Sequence, residues 1–205
     1  MRERQRRRWL HYAVVLAVLA VVTSPAWSSE CPEFVVDQSC DALSGGMNIM
    51  YAAPFGFDFA PETQSIEFIE LRTQDCSGVG ADAELVARVH EGPIDGPVLG
   101  TSEVTFLPAG HGHGFSEVTC LRFSAPVTLE SGTLYSVELV VLTGAVCAGD
   151  IAGNPYGIDP CPDSRMIFAG TPSTVGADVW FREGTSSTSP VMEYGWVAIK
   201  SLYRP

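Results

Sequence analysis

The chain has 205 residues, 12 basic against 24 acidic, for a formal net charge of −12. Five of the arginines and one glutamate fall in Met1–Ser28, so the remainder holds 7 basic and 23 acidic residues and a net charge of −16. Such a surface repels nucleic acid and anionic lipid, whose recognition needs clustered Lys and Arg. The acids are interspersed among apolar residues, which excludes a disordered acidic tail.

Residues 1–28 read as a secretion signal. Arg2, Arg4, Arg6, Arg7 and Arg8 form a basic start, and Trp9 to Val22 runs almost without polar residues. Thr23, Ser24 and Pro25 then break the run, and Ala26-Trp27-Ser28 supplies the small residues a signal peptidase inspects. The rival reading is an uncleaved anchor. A spanning helix needs about 20 apolar residues, and Trp9–Val22 is shorter. In both readings the basic flank stays inside and the rest is exported, which places the mature chain outside the cell or in the periplasm. Once the signal is cleaved, no membrane association is expected.

Residues 29–50 form a cysteine-bearing segment before the main domain. All six cysteines (Cys31, Cys40, Cys76, Cys120, Cys147 and Cys161) follow the signal. An even number in an exported chain predicts disulfides. Six cysteines allow 15 pairings. The set that keeps two loops short is Cys31–Cys40, Cys76–Cys120 and Cys147–Cys161. A structural zinc site is disfavoured because no pair has C-x-x-C spacing.

Residues 51–184 carry apolar residues with a period of two, the mark of half-buried strands. In 84–90, Leu85, Ala87 and Val89 share one face and Arg88 and His90 the other. In 134–141, Tyr135, Val137, Leu139 and Val141 face the core, with Ser136 and Glu138 predicted to meet solvent. Further strands are predicted over 65–72, 103–107, 116–123, 165–169, 179–182 and 196–202. A phase shift between Phe68 and Ile69 predicts a bulge. Gly92-Pro93, Asp95-Gly96-Pro97, Glu130-Ser131-Gly132 and Ala148-Gly149-Asp150 mark turns. Gly132 would take positive φ, and the buried Tyr135 ring would offer its hydroxyl to the backbone. No amphipathic helix of ten residues fits between the Gly and Pro positions. The expected fold is all-β: a two-sheet antiparallel sandwich, jelly-roll-like, after an N-terminal signal helix. Residues 185–205 read as a linker and a closing strand or tail.

The order of motifs resembles the small jelly-roll modules of bacterial secreted and surface proteins, which often stand beside varied C-terminal sorting tails. The residues that carry the likeness are 57–61 (FDFAP), 66–71 (IEFIEL), 83–92 (AELVARVHEG), 96–102 (GPVLGTS), 121–135 (LRFSAPVTLESGTLY) and 177–182 (ADVWFR). They cover most of the mature chain. The resemblance implies about eight strands in a sandwich and a non-catalytic extracellular role, and it supplies no catalytic residues. The cysteines and the 147–161 loop depart from the pattern.

Several residue groups suggest chemistry. Asp150, Asn154 and Asp159 in the 147–161 loop, with Asp163 beyond it, offer the hard oxygen donors that Ca²⁺ takes, although their spacing matches no EF-hand and Asp and Asn are common turn formers. His111 and His113 alternate with glycine; two imidazoles fall short of a catalytic zinc unless His90 or a carboxylate joins them. Tyr156, Tyr194 and Trp196 present rings on which a sugar could stack, whereas Trp180 reads as core. No G-x-S-x-G, H-E-x-x-H, Walker or G-x-G-x-x-G motif is present. The reading that follows is an exported, non-catalytic module that binds a glycan or a surface protein. The alternatives are a purely structural surface component and a hydrolase that uses a carboxylate pair.

Overall fold

A computed structural model describes residues 31, 34–41, 44–151, 161, 164–174 and 176–186. The first seven strands are β1 (Phe34–Cys40), β2 (Gly45–Asn48), β3 (Phe55–Phe59), β4 (Ser65–Asp75), β5 (Ala83–Glu91), β6 (Val98–Thr101) and β7 (Thr105–Leu107). The others are β8 (Val118–Thr128), β9 (Tyr135–Thr143), β10 (Val146–Ile151), β11 (Arg165–Phe168), β12 (Thr171–Pro172), β13 (Asp178–Val179) and β14 (Phe181–Ser186).

They form two antiparallel sheets. In the first, β4 is the hub. One of its edges pairs with β8, and the other takes β14 along 68–71 and then β10 along 73–75. β1 adds outside β14, while β2 and β13 pair with β10. The second sheet runs β12-β11-β3-β9-β5, with β6 and β7 on opposite halves of β5. The predicted division at residue 51 is not a structural boundary, since β1 and β2 are strands of the first sheet.

The core lies between the sheets, as the alternation requires. Leu85, Ala87 and Val89 of β5 are fully buried, as are Phe55, Phe57 and Phe59 of β3 and Ile69 and Leu71 of β4. Phe57 of the second sheet stacks on Phe181 of the first, with ring centroids 4.2 Å apart. Each such ring or branched chain contributes about 1.5–3 kcal/mol by leaving water. Tyr135 is buried and accepts a hydrogen bond from the Glu130 backbone N–H at 2.8 Å. Gly132 takes φ +73° in the turn before it.

Further expectations need correction, among them the turn predicted at Ala148-Gly149-Asp150, which lies within β10. All six cysteines are paired, but as Cys31–Cys120, Cys40–Cys161 and Cys76–Cys147. In a sandwich, strands far apart in sequence lie side by side, so short loops are a poor guide to pairing. Ser136 does not meet solvent: residues 92–97 fold over it, and its hydroxyl donates to the Gly92 carbonyl at 2.6 Å. The β4 register shift lies between Ile66 and Phe68, not after Phe68. The strand predicted over 179–182 is broken at Trp180, which separates β13 from β14. Trp180 is buried outside the main core cluster, where the guanidinium groups of Arg72 and Arg182 lie 4.9 and 5.2 Å from its ring. The strand predicted near Phe106 begins at Thr105. The signal and the strand predicted over 196–202 lie outside the described residues.

Candidate functional site: a cleft along β8

The site begins with the alternation of β4 and β8. Ile69 and Leu71 point into the core, so Phe68 and Glu70 fall on the outer face of the first sheet. On β8, Leu121 points inward and Cys120 and Arg122 outward. The Cys31–Cys120 disulfide, with Cα atoms 5.3 Å apart, fastens the chain ahead of β1 to that outer face. Phe34 then packs on Phe68 with ring centroids 4.5 Å apart, and Cys31, Phe68 and Cys120 form a second, small buried cluster.

Beside this cluster is a cavity of about 300 Å³. Phe34 and Phe68 wall it, the core residue Phe123 borders it, and Glu67, Arg122 and Ser186 reach it. The Glu67 carboxylate is held by β14, accepting hydrogen bonds from the Ser186 backbone N–H at 3.2 Å and its hydroxyl at 2.6 Å. Arg122 is exposed and makes no ion pair among the described residues.

A second cavity of about 440 Å³ lies further along β8, and Phe123 is the residue that lines both. It exists because β8 leaves its ladder. Phe68 pairs with Arg122 and Ile66 with Val127, so two steps along β4 span five along β8. The excursion includes Pro126, which has no N–H to give a ladder. Leu99, Gly100 and Thr101 of β6 form the opposite wall. A Cβ on Gly100 would come 2.5 Å from a Val127 methyl, so the glycine lets the two sheet edges close under the cleft.

The other described arginines are committed. Arg72 donates to the Phe115 carbonyl at 2.8 Å and lies over Trp180. Arg88 pairs with Glu138 at 3.3 Å, Arg165 with the buried Asp58 at 2.6 Å, and Arg182 with Asp41 at 3.1 Å.

The residues singled out from sequence are not gathered at this cleft. Asp150 lies on β10 on the same side as the core residues Val146 and Ala148, and its burial pushes its carboxyl above the usual range. Its proposed calcium partners Asn154, Asp159 and Asp163 lie outside the described residues, as do Tyr156, Tyr194 and Trp196. Among the described residues, the group that comes within metal-ligating distance is Cys40, Cys161 and Asp178, and those two sulfurs are joined in a disulfide. None of the described histidines belongs to that group. His90 faces the Gly96 carbonyl at 2.9 Å and the Glu138 carboxylate at 3.4 Å. His111 is buried against the Pro108 carbonyl at 3.1 Å, and His113 sits in a short turn.

Sequence reasoning passed over Phe34, Glu67 and Arg122. An outward charge on a strand reads as a solvated face. The available signal was scarcity, since a cation at an outward position is uncommon in so acidic a chain. No protein-family model matches the chain, and no curated protein matches it.

Proposed function

We propose that this protein is an exported, non-catalytic β-sandwich module that binds its ligand in the cleft along β8. The observation that carries the reading is the cavity beside β8 that brings together the aromatic Phe34 and Phe68, a fixed carboxylate and an uncommitted arginine, with a second cavity further along the same strand. Binding pockets combine apolar walls with a few placed polar groups in this way. Export is supported by the signal-like start and by three disulfides, which persist in oxidising compartments. No helix among the described residues is long and apolar enough to cross a membrane. The likeness to bacterial secreted and surface modules agrees with this reading.

The test is a screen of the oxidised protein against immobilised glycans and peptides, run beside Ser124→Trp, which fills the second cavity from its rim. Loss of captured ligands in the variant supports the cleft. Capture that is unchanged by Ser124→Trp and by Phe34→Ala overturns it.

A structural role through self-association is the second reading. It is favoured by the exposed Val98, Leu99, Val104 and Phe106 on and beside the edge strands β6 and β7. A concentration-dependent sedimentation coefficient that Phe106→Lys abolishes would favour it. The hydrolase reading draws less support: Glu183 and Asp150, whose ionisation burial opposes, line neither cavity.

A further inference from the structure

We propose that Arg122 is the anchor of an anion subsite in this cleft, one that takes a ligand bearing a single carboxylate next to an apolar face. The inference rests on the binding role proposed above and names the ligand chemistry of the same site.

Three observations converge on it. The first is commitment: of the five arginines among the described residues, Arg72, Arg88, Arg165 and Arg182 have structural partners and Arg122 has none. No lysine lies among the described residues, so Arg122 is their one uncommitted cation. The guanidinium presents N–H groups in a planar fork that matches a carboxylate in a bidentate way. A chain this acidic has no long-range field that gathers anions. The selectivity therefore comes from direct contact in the cleft.

The second is the charge limit. Glu67 reaches the same cavity, fixed by its two hydrogen bonds from Ser186, and no ion pair joins it to Arg122. A second negative charge on the ligand would meet that carboxylate. A monoanion fits, and a phosphate dianion is opposed.

The third is shape. Phe34, half-buried on Phe68, gives the cavity an apolar wall on the side where Arg122 reaches it. The volume of about 300 Å³ lies at the small end of ligand pockets. That suits one sugar ring or one aromatic ring. Two sources supply this chemistry: a sugar acid with a C–H face, and an arylacetic acid.

The test is an NMR titration of the oxidised protein, following the Arg122 Nε–Hε signal and the Phe34 ring protons. The probes are D-glucuronate, phenylacetate, D-glucose and inorganic phosphate. Arg122 is exposed, so Arg122→Gln should keep the wild-type melting temperature and serves as the control. The expected result is saturable shifts at both residues with glucuronate or phenylacetate, and at least about tenfold weaker binding in Arg122→Gln, the loss of one charge-assisted contact. Glucuronate alone identifies the sugar acid, and phenylacetate alone the aryl acid. Phosphate binding as tightly as the better carboxylate would overturn the single-charge limit. Glucose shifting Phe34 as strongly as glucuronate, unchanged in Arg122→Gln, would overturn the anion subsite and leave the binding cleft standing. No shift at Phe34 with any probe would overturn the subsite, while the glycan and peptide screen decides separately whether the cleft binds something else.

Discussion

Glu183 of β14 is fully buried, and the neighbouring Asp37 carboxylate adds to the cost of ionising it. Asp37 lies at the β1 register shift, where it accepts hydrogen bonds from the backbone N–H groups of Glu62 and Thr63 at 2.8 and 3.1 Å. Glu183 shares its strand face with the core residue Phe181 and pairs across the ladder with Ile69, and its oxygens have no hydrogen-bond partner of good geometry. Burial first, and then Asp37, push its carboxyl from 4.5 up to about 9.

The pH dependence of stability follows from that pair. The folded carboxyl keeps a proton that the unfolded chain loses above its ordinary value near 4.5. The folded state therefore binds more protons between the two values, and stability falls as pH rises through this window toward about 9. Glu183→Gln removes the ionisable group at nearly constant shape. The variant should melt at a higher temperature than wild type at pH 8, and the gap should shrink toward pH 5. Parallel Tm-against-pH curves would show that Glu183 is not the group responsible.

Tyr135 combines a core ring with a turn contact. Tyr135→Phe keeps the ring and deletes the acceptor of the Glu130 N–H, so a loss of about 0.5–1.5 kcal/mol is expected. Tyr135→Ala also empties the core and should cost about 3–5 kcal/mol. Urea unfolding of the two variants measures both, and equal losses would mean that the ring contributes nothing.

The loop that holds His111 and His113 is pinned by Asp75, at the end of β4, and by Asp82, just ahead of β5. Asp75 accepts from the backbone N–H groups of Ser77 at 2.7 Å and Gly110 at 3.0 Å, and Asp82 accepts from that of Ala109 at 2.8 Å. The Ser77 hydrogen bonds, with the Gly110 N–H adding to them, hold Asp75 down to about 2. Its contribution is present above the ordinary value of 3.8 and is lost as pH falls through about 2. Asp75→Asn should speed hydrogen exchange at Gly110 and Ser77 at neutral pH. Exchange there identical to wild type would show that the carboxylate does not hold the loop.

The parts of the fold that were legible in sequence are those where one face of a strand meets the core. β5 and β9 could be read because Leu85, Ala87, Val89, Val137 and Leu139 keep strict alternation. Ser136 could not, because what covers it is a loop from another part of the chain. Trp180 was recognisable as buried, but not as meeting the guanidinium groups of Arg72 and Arg182, which come from separate strands. The cleft was hidden for the same reason. Glu67 and Arg122 are ordinary outward charges until the Cys31–Cys120 link brings Phe34 to the same cavity.

That link can be measured directly by mass spectrometry of unreduced peptides from the oxidised protein. The expected result is Cys31 joined to Cys120, Cys40 to Cys161 and Cys76 to Cys147. Recovery of Cys31 joined to Cys40 would detach the N-terminal segment from β8, remove the Phe34 wall and contradict the cleft on which the function rests.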